Sequence, residues 1–263
     1  MQAQQKQQEW LYQWERFADQ ETFLFLDWIQ PRTLDDFRGK RVLDAGCGPG
    51  HHMRLIAPVA EHITGMDLNT AALARTTLAD LPNVTLIEDD IARHRPAQPF
   101  DVVYSIGVVD HTDAPDETFE NLKNMTAAGG LVIVWVWSHE GNGLMWGLIE
   151  PLRKLLLSQA NRTLVEWLAR LLTFVLYPIV HTLYRLPATM LPYYAYFQNF
   201  RKLSFERNAL NVFDKLNAPY TEFISRERIE RWFNARDFED VSITFYRGVS
   251  WCASGRKRSP HVE

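Results

Sequence analysis

Short apolar runs alternate with amphipathic helical patterns along the segment from residue 40 to residue 137. Runs rich in β-branched residues predict five strands, at residues 41–45, 62–67, 84–88, 101–106 and 130–137. Helical patterns lie between these strands, at about 50–58, 70–80 and 116–126. We expect Asn69 to cap the second helix. Regular alternation of strand and helix predicts a parallel sheet covered on both faces, with ligands at the carboxyl ends of its strands.

The alternation stops after the fifth strand, and residues 138–222 are predicted to form a helical, aromatic-rich insertion. Residues 138–200 contain only eight charged side chains of Asp, Glu, Lys and Arg. A helical pattern covers Leu164–Leu186, but its longest apolar stretch is about half of the ~20 residues that a membrane span requires. Pro178 is also expected to bend a helix there. We therefore predict no membrane-spanning helix in this segment.

A helix and two strands are predicted at the end of the chain. Ser225 is placed to cap a helix that continues to about Ala235, and strands follow at about 240–246 and 249–254. A helix rich in aromatic residues is predicted at about residues 8–29, and we expect it to pack onto the core or to cap a ligand cleft. We predict an N-terminal helical cap at residues 1–39 and a ligand-binding core at residues 40–137. The insertion follows at residues 138–222, and a C-terminal part at residues 223–263 completes the sheet.

Composition narrows the function without identifying it. The 263-residue chain has a formal net charge of −4, which gives no general attraction to nucleic acid. Two cysteines are too few for a disulfide framework or a thiolate metal site, so the cytoplasm is the expected location. The first residues lack the charged and apolar regions of a signal peptide.

A glycine-rich loop follows the first strand, in the sequence VLDAGCGPG at residues 42–50. Alternate glycines permit positive φ and let a ligand approach the backbone closely. The spacing is G-x-G-x-G rather than the G-x-G-x-x-G of dinucleotide-binding loops, and the strand ends with a carboxylate. We expect a nucleoside ligand whose cationic end lies near that carboxylate. The candidate binding residues of the loop are Asp44, Gly46, Cys47, Gly48 and Gly50.

Acidic residues also follow the second and third strands. Asp67 lies about twenty residues after the glycine loop, where a carboxylate can accept hydrogen bonds from two vicinal ribose hydroxyls. Its alternative role is that of an ordinary helix-capping acid. The third strand ends in Glu88-Asp89-Asp90-Ile91, in which Asp89 is an alternative to Asp90 as a ligand-binding acid.

The glycine loop, Asp67, the Asp90-Ile91 pair and residues 99–111 occur in an order that resembles the motifs of class I S-adenosylmethionine-dependent methyltransferases. The resemblance covers about residues 40–137. It implies an α/β, doubly wound, Rossmann-like fold with a mostly parallel seven-stranded sheet and an antiparallel last strand. It places the insertion, as a helical lid, between strand 5 and the final helix. The implied cofactor is S-adenosylmethionine, and the product is S-adenosylhomocysteine.

Site roles also follow from the resemblance. Asp67 would contact the ribose of the cofactor, and the following Leu68 is also a candidate cofactor-binding residue. Asp90 would accept a hydrogen bond from the adenine amino group while the backbone of Ile91 contacts the ring. The residues that leave the fourth strand beside the sulfonium would be Ser105, Ile106 and Gly107.

Methyl transfer from a sulfonium needs alignment and, for a hydroxyl nucleophile, a general base. His111 is the leading candidate, because its loop is expected to face the methyl group and imidazole titrates near neutral pH. The alternative is that His111 only orders the loop or contacts the cofactor. His139, after the fifth strand, is the second candidate, and Tyr220, as a positioning hydroxyl, is the third. No metal site is expected, since no ligand spacing supports one.

The insertion leaves the acceptor and the partners open. Its composition suits a lid over an apolar acceptor, a helical pair resting peripherally on a membrane, or a homodimer interface through residues 138–200. The favoured function is O- or C-methylation of an apolar small molecule such as a polyketide, a quinone or a lipid-like compound. The alternatives are an NAD(P)-dependent Rossmann oxidoreductase, and a non-catalytic S-adenosylmethionine-binding or membrane-associated interaction protein.

Overall fold

The computed structural model describes residues 8, 10–15, 22–157, 160–217 and 221–259. The chain divides into two compact units. The sheet unit consists of residues 22–137, 220–246 and 250–263. The helical unit consists of residues 1–21, 138–219 and 247–249.

A seven-stranded sheet forms the centre of the sheet unit. Its strands are β1 Arg41–Ala45, β2 His62–Asp67, β3 Val84–Glu88, β4 Phe100–Ile106, β5 Thr126–Trp137, β6 Phe238–Tyr246 and β7 Ser250–Lys257. The order across the sheet is β3-β2-β1-β4-β5-β7-β6. The first five strands pair in parallel, and β7 pairs antiparallel with both of its neighbours. The predicted fold class, including the antiparallel last strand, is confirmed.

Nine α-helices have both ends among the described residues: α1 Phe23–Trp28, α2 His51–Ile56, α3 Ala71–Thr77, α4 Pro115–Met125, α5 Glu150–Leu157, α6 Arg162–Thr182, α7 Tyr194–Phe200, α8 Phe205–Asn217 and α9 Arg226–Trp232. Helices α1 to α4 and α9 belong to the sheet unit, and α5 to α8 to the helical unit. A π-helical turn at Met145–Ile149 precedes α5, and a 3-10 turn at Leu183–Arg185 follows α6.

Two helix starts test the predicted caps. The Ser225 side chain accepts a hydrogen bond from the backbone N–H of Arg228, as predicted for the cap of α9. The prediction for α3 was wrong, because its N-cap residue is Thr70 rather than Asn69. The Thr70 hydroxyl donates to the carbonyl of Gly48 at 2.8 Å, and it therefore serves the glycine loop rather than the helix start.

Apolar side chains cover both faces of the sheet. On one face, residues such as Val103 and Val134 pack with Phe119 of α4 and Trp232 of α9. On the other face, the buried cluster comprises Phe25, Ile29, Phe37, Val42, Cys47, Met53, Ile56, Ala57, Ile63, Ala74, Leu78, Val102, Tyr104, Leu131 and Ile133. Phe25 of α1 is fully buried there, which agrees with the core-packing interpretation of the N-terminal aromatic pattern.

The core of the helical unit lies between α6 and α8. Val165 and Ala169 of α6 pack with Ala209, Leu210 and Phe213 of α8. Helix α6 continues through Pro178 and has 21 residues. By length and composition alone, the segment Arg162–Arg185 could cross a membrane. This result differs from the sequence expectation, which counted the shorter apolar stretch around the proline.

Candidate active site

The glycine loop is held against the carboxyl end of β2. The N–H groups of Gly46 and Cys47 both donate to the carbonyl of Met66, at 2.8 and 3.1 Å. Gly46 has φ of +90°, and a Cβ there would lie 2.5 Å from the side chain of Val108. A glycine is therefore required by the backbone conformation and by the close approach of the β4 loop. Gly48 and Gly50, the other two alternate glycines, have φ of +51° and +83°.

Asp67 ties the end of β2 to this loop. Its Oδ2 accepts a hydrogen bond from the N–H of Gly48 at 3.0 Å, and its Oδ1 accepts one from Asn69 at 3.4 Å. Thr70 anchors the same glycine through its carbonyl. Sequence reasoning missed Thr70, although its place directly before a helix and beside Asp67 was a usable signal. The carboxylate lies at the strand end beside the glycine loop, and its contact with ribose stays a prediction.

Asp44 is buried within the sheet unit. The hydroxyl of Tyr104 donates to its Oδ2 at 2.7 Å, and the two residues are register partners on β1 and β4. Burial raises the pKa of the Asp44 carboxyl from 3.8 to about 7, the Tyr104 hydrogen bond opposes this rise, and the nearby charge of Asp67 adds to it. Contact between Asp44 and a cationic ligand stays a prediction. Tyr104 was missed, because only strand register brings it to Asp44.

Cys47 has a free, buried thiol in the glycine loop. Burial raises the pKa of its thiol well above the ordinary value, and the charges of Asp44 and Asp67 raise it further. Its Sγ would lie 2.9 Å from a Cβ on Gly65. These contacts agree with a small packing residue rather than a nucleophile.

Three candidate adenine-side residues have different environments. Leu68 is exposed directly after Asp67. Asp90 accepts a hydrogen bond from the N–H of Ala92 at 2.9 Å, so its carboxylate stabilises the turn after β3. The side chain of Ile91 is buried in the core, and its carbonyl accepts from the Asn121 amide at 2.8 Å. Contacts of these residues with adenine stay predictions.

The end of β4 presents backbone rather than side-chain groups. Ser105 is buried, and its hydroxyl donates to the carbonyl of Ala45 at 2.7 Å. Ile106 packs against the core cluster on one face of the sheet. The N–H of Gly107 donates to the carbonyl of Trp135 at 2.9 Å, and its φ is +68°. The Ser105 hydroxyl therefore joins β4 to β1, and the glycine turn leads into the loop that carries His111.

His111 ends a single 3-10 turn, Val109–His111, in that loop. Its Nδ1 lies 3.3 Å from the hydroxyl oxygen of Thr221, in the segment that leads into α9. The neighbouring Asp110 is fully buried. Its Oδ2 accepts from the N–H of Trp137 at 2.9 Å, and its carbonyl accepts from the N–H of Glu222 at 2.8 Å. Asp110 thus orders the His111 loop, the end of β5 and the segment after the insertion together.

A row of tryptophans lies at the same edge of the sheet. The ring centroids of Trp28 and Trp135 are 5.0 Å apart, and those of Trp135 and Trp137 are also 5.0 Å apart. A Cβ on Gly107 would lie 3.4 Å from the Trp135 ring. The row therefore adjoins the glycine turn at the end of β4. Alternation along β5 could have placed Trp135 and Trp137 on one face, but Trp28 could not be added from sequence.

Neither of the other two catalytic candidates is among the described residues of the sheet unit. His139 belongs to the helical unit, where its ring stacks on Trp146 with centroids 4.8 Å apart. Tyr220 lies outside the described residues. The roles proposed for both residues stay predictions. Among the residues that the structure describes, no group of three or more His, Cys, Asp or Glu side chains could hold a metal ion.

The loop and strand ends fit a nucleoside cofactor with a sulfonium group. Gly46 has the positive φ that lets the glycine loop lie against Val108, and Asp67 supplies acceptor oxygens at the end of the second strand. Leu68 exposes an apolar surface beside that carboxylate. This strand order, with the glycine loop after β1 and an acid after β2, defines a Rossmann-like methyltransferase fold.

Comparison with known families agrees with this class. A family model described as a methyltransferase domain matches residues 14–243 of the chain. The protein therefore belongs to the S-adenosylmethionine-dependent methyltransferases.

Curated relatives match through part of their length. The chain is 38% identical over 112 residues to trans-aconitate 2-methyltransferase from Klebsiella pneumoniae, covering 40% of this chain and 44% of that protein. It is 33% identical over 126 residues to tRNA U34 carboxymethyltransferase from Pseudomonas paraeruginosa, covering 44% of this chain and 38% of that protein. The aligned segment thus spans less than half the length of these relatives.

Solved structures share the fold. An O-methyltransferase family protein from Burkholderia thailandensis has a TM-score of 0.54 at 14% identity, covering 91% of this chain and 57% of that chain. The pyocyanin biosynthetic protein PhzM has a TM-score of 0.51 at 15% identity, covering 89% and 55%. Likeness at this level of identity establishes the fold alone.

Proposed function

We propose that this protein transfers the methyl group of S-adenosylmethionine to an oxygen or carbon atom of an apolar small molecule. The observation that carries the acceptor class is the tryptophan row, which adjoins the end of β4 through Gly107. The neighbouring indole rings meet at 37° and 70°, and together they form an apolar, aromatic lining that favours aromatic or quinone-like compounds. The charge-poor composition of residues 138–200 supports the same class of acceptor.

The cofactor supplies an already activated methyl group, so the chain has to bind, align and exclude water. Asp67 would accept hydrogen bonds from the ribose hydroxyls, and the backbone around Gly46 and Gly48 would lie against the amino-acid part. Leu68 would cover one face of the adenine ring. Asp90 and Ile91 would recognise its edge, while Ser105, Ile106 and Gly107 would bound the sulfonium side.

His111 would remove the proton from a hydroxyl acceptor. When its Nδ1–H donates to the Thr221 hydroxyl, the nitrogen lone pair is on Nε2, which would then accept the proton. Asp110, next to the base, accepts hydrogen bonds from the N–H groups of Trp137 and Glu222 and acts as a positioning residue. A base in this position contributes about 10²-fold to the rate of an O-methylation.

The named relatives suggest a rival acceptor class. Their printed names refer to trans-aconitate and to tRNA, which are anionic. An anionic acceptor would favour a positively charged site, whereas the edge described here presents indole rings and the chain carries a net charge of −4. Glycine spacing and family membership also disfavour the oxidoreductase alternative.

Turnover to S-adenosylhomocysteine with a panel of acceptors tests the proposal. Hydroxylated aromatics and quinols should support turnover, and trans-aconitate and unmodified tRNA should not. Replacing His111 with Ala should lower kcat about 100-fold without changing the Kd for S-adenosylmethionine. Trp137→Leu should raise KM for the apolar acceptor while leaving cofactor affinity unchanged.

Three results would contradict the proposal or part of it. Turnover with the anionic acceptors alone would reject the apolar class. Cofactor binding without turnover on any acceptor would favour the non-catalytic alternative. An equal loss of cofactor affinity and rate in the His111→Ala variant would assign the histidine to binding rather than to proton transfer.

A further inference from the structure

Helix α6 exposes an apolar face along most of its length. Trp167 and Phe174 are 69% and 70% exposed, although large aromatic side chains are usually buried. Other exposed apolar residues of the segment are Leu164, Leu171, Leu172, Val175, Ile179, Leu183 and Leu186. With 21 residues, α6 is about 32 Å long. Its apolar face is therefore far larger than the single exposed apolar residues that are common on protein surfaces.

The charges of α6 lie on its packed side instead. Glu166 is buried, and its Oε1 lies 3.3 Å from the guanidinium of Arg170. Arg170 also bonds to Glu206 of α8 at 2.8 Å. The Tyr12 hydroxyl donates to Glu166 at 3.2 Å. The helix thus directs its ion pairs toward its protein neighbours and its apolar residues outward, which reverses the usual arrangement of a surface helix.

Helix α5 also has exposed apolar side chains. Leu155 and Leu156 are 77% and 68% exposed near its end. Lys154 directly precedes them and is exposed. Arg162 begins α6, and Arg185 follows it with an exposed side chain. Basic residues therefore stand at the ends of the apolar segments, where long side chains can reach past an apolar layer to polar groups.

The charge of the segment differs in sign from that of the whole chain. Residues 138–219 contain nine lysines and arginines and five aspartates and glutamates, which gives a net charge of +4. The full chain has a net charge of −4. An apolar face with basic ends and a positive segment charge is complementary to the anionic headgroups and acyl chains of a lipid bilayer.

We propose that the outward face of α5 and α6 docks on the surface of an anionic lipid bilayer, with Trp167 and Phe174 immersed at the headgroup–acyl boundary. A second copy of the chain is a weaker occupant, because two segments of charge +4 would repel each other. A membrane-spanning α6 is also disfavoured. Spanning would carry Glu166 and Arg170 into hydrocarbon, or would separate Arg170 from Glu206.

Co-sedimentation of the full chain with vesicles tests this proposal. Vesicles of phosphatidylcholine mixed with phosphatidylglycerol should bind the protein, and phosphatidylcholine alone should bind it more weakly. Phe174→Glu should weaken partitioning at least about tenfold, because it places a charge at the acyl boundary. Lys154→Ala should weaken binding about fivefold on the anionic vesicles alone.

A matched control tests whether vesicle binding depends on the face of α5 and α6 or on any exposed apolar residue. Val241 on β6 is also an exposed apolar residue, and Val241→Glu should leave partitioning unchanged. The proposal is overturned if the wild type does not sediment with anionic vesicles, or if Phe174→Glu binds them as the wild type does. A concentration-dependent dimer that Phe174→Glu dissociates, without vesicle binding, would assign the face to a second copy. Resistance of membrane-bound protein to alkaline carbonate extraction would indicate a spanning helix instead.

Discussion

The two units arrange their polar and apolar groups in opposite ways. In the sheet unit, buried Asp44 accepts a hydrogen bond from Tyr104, and buried Asp110 accepts one from the N–H of Trp137. In the helical unit, the ion pair of α6 faces its helix neighbours while Trp167 faces outward. The sheet unit therefore supplies hydrogen-bond partners for these buried acids. The exposed apolar face of the helical unit would gain stability from a partner that covers it.

The largest expected effect concerns the buried carboxyl of the sheet unit. Because folding raises the pKa of Asp44 from 3.8 to about 7, the native state binds this proton more tightly than the unfolded state. The corresponding stability is complete below about pH 4 and is lost as the pH rises to about 7. A pKa difference of this size corresponds to about 4 kcal/mol. Asp44→Asn avoids the loss and should be more stable than the wild type at pH 8.

Chemical denaturation of both proteins at pH 5 and pH 8 measures this effect. The difference in free energy of unfolding between Asp44→Asn and wild type should grow with pH. Other titrating groups are the same in both proteins, so their contribution cancels in this difference. A difference that does not change with pH would mean that Asp44 is ionised in the native state throughout. The sheet unit would then carry an uncompensated buried charge, contrary to the comparison.

A smaller effect is expected for Gly46→Ala. The new Cβ would lie 2.5 Å from Val108 on a backbone with φ of +90°, so the variant should lose about 3 kcal/mol of unfolding free energy. Gly39 also has positive φ, at +64°, but nothing lies within 4 Å of its Cβ position. Gly39→Ala should therefore lose about 1 kcal/mol. Equal losses in the two variants would show that close approach of the β4 loop does not matter.

Removal of the Asp67 carboxylate should weaken S-adenosylmethionine binding roughly 50-fold, a little over 2 kcal/mol, through loss of charge-assisted hydrogen bonds. Calorimetric titration measures the Kd for Asp67→Ala. Asp80→Ala is the matched control, because this exposed acid pairs with Arg54 away from the loop and should leave the Kd unchanged. Asp67→Asn keeps one acceptor for the N–H of Gly48. If the Asn variant binds like the wild type, the carboxylate only orders the loop.

Local pattern predicted most of the sheet unit. The bounds of β1, β2 and β3 agree with the predicted strands, since apolar and β-branched residues mark strands directly. The alternate glycines have the positive φ that their spacing predicted. The Asp44–Tyr104 bond could not be predicted, because it depends on the register of two strands sixty positions apart in the chain. The partners of Asp110 depend on long-range packing in the same way.

The outward face of α6 was unpredictable for a different reason. The helix is apolar on nearly all sides, so periodicity alone does not show which side is packed. Contacts with Ala209 and Phe213 of α8 determine which side of α6 is packed, and the ion pair between Arg170 and Glu206 lies on the same side. The helix continues through Pro178, and the bend expected at that residue stays a prediction.

The smallest expected change in the free energy of unfolding is for an exposed phenylalanine of the helical unit, which can be compared directly with a buried one. Phe174 and Phe213 are both phenylalanines of the helical unit, but one is 70% exposed and the other is fully buried. Phe174→Ser should change the free energy of unfolding in lipid-free buffer by less than about 0.5 kcal/mol, because it removes few internal contacts. Phe213→Ala should cost about 4 kcal/mol, since it opens a cavity between α6 and α8.

Denaturant unfolding of both variants, with and without anionic vesicles, measures these values. Lipid should stabilise the wild type and the Phe213→Ala variant, and it should stabilise Phe174→Ser much less, because a ligand adds stability only in proportion to its binding to the native state. A loss of several kcal/mol for Phe174→Ser in plain buffer would mean that this face is packed within the protein. The contrast between the two units would then disappear, since both would be complete without an external partner.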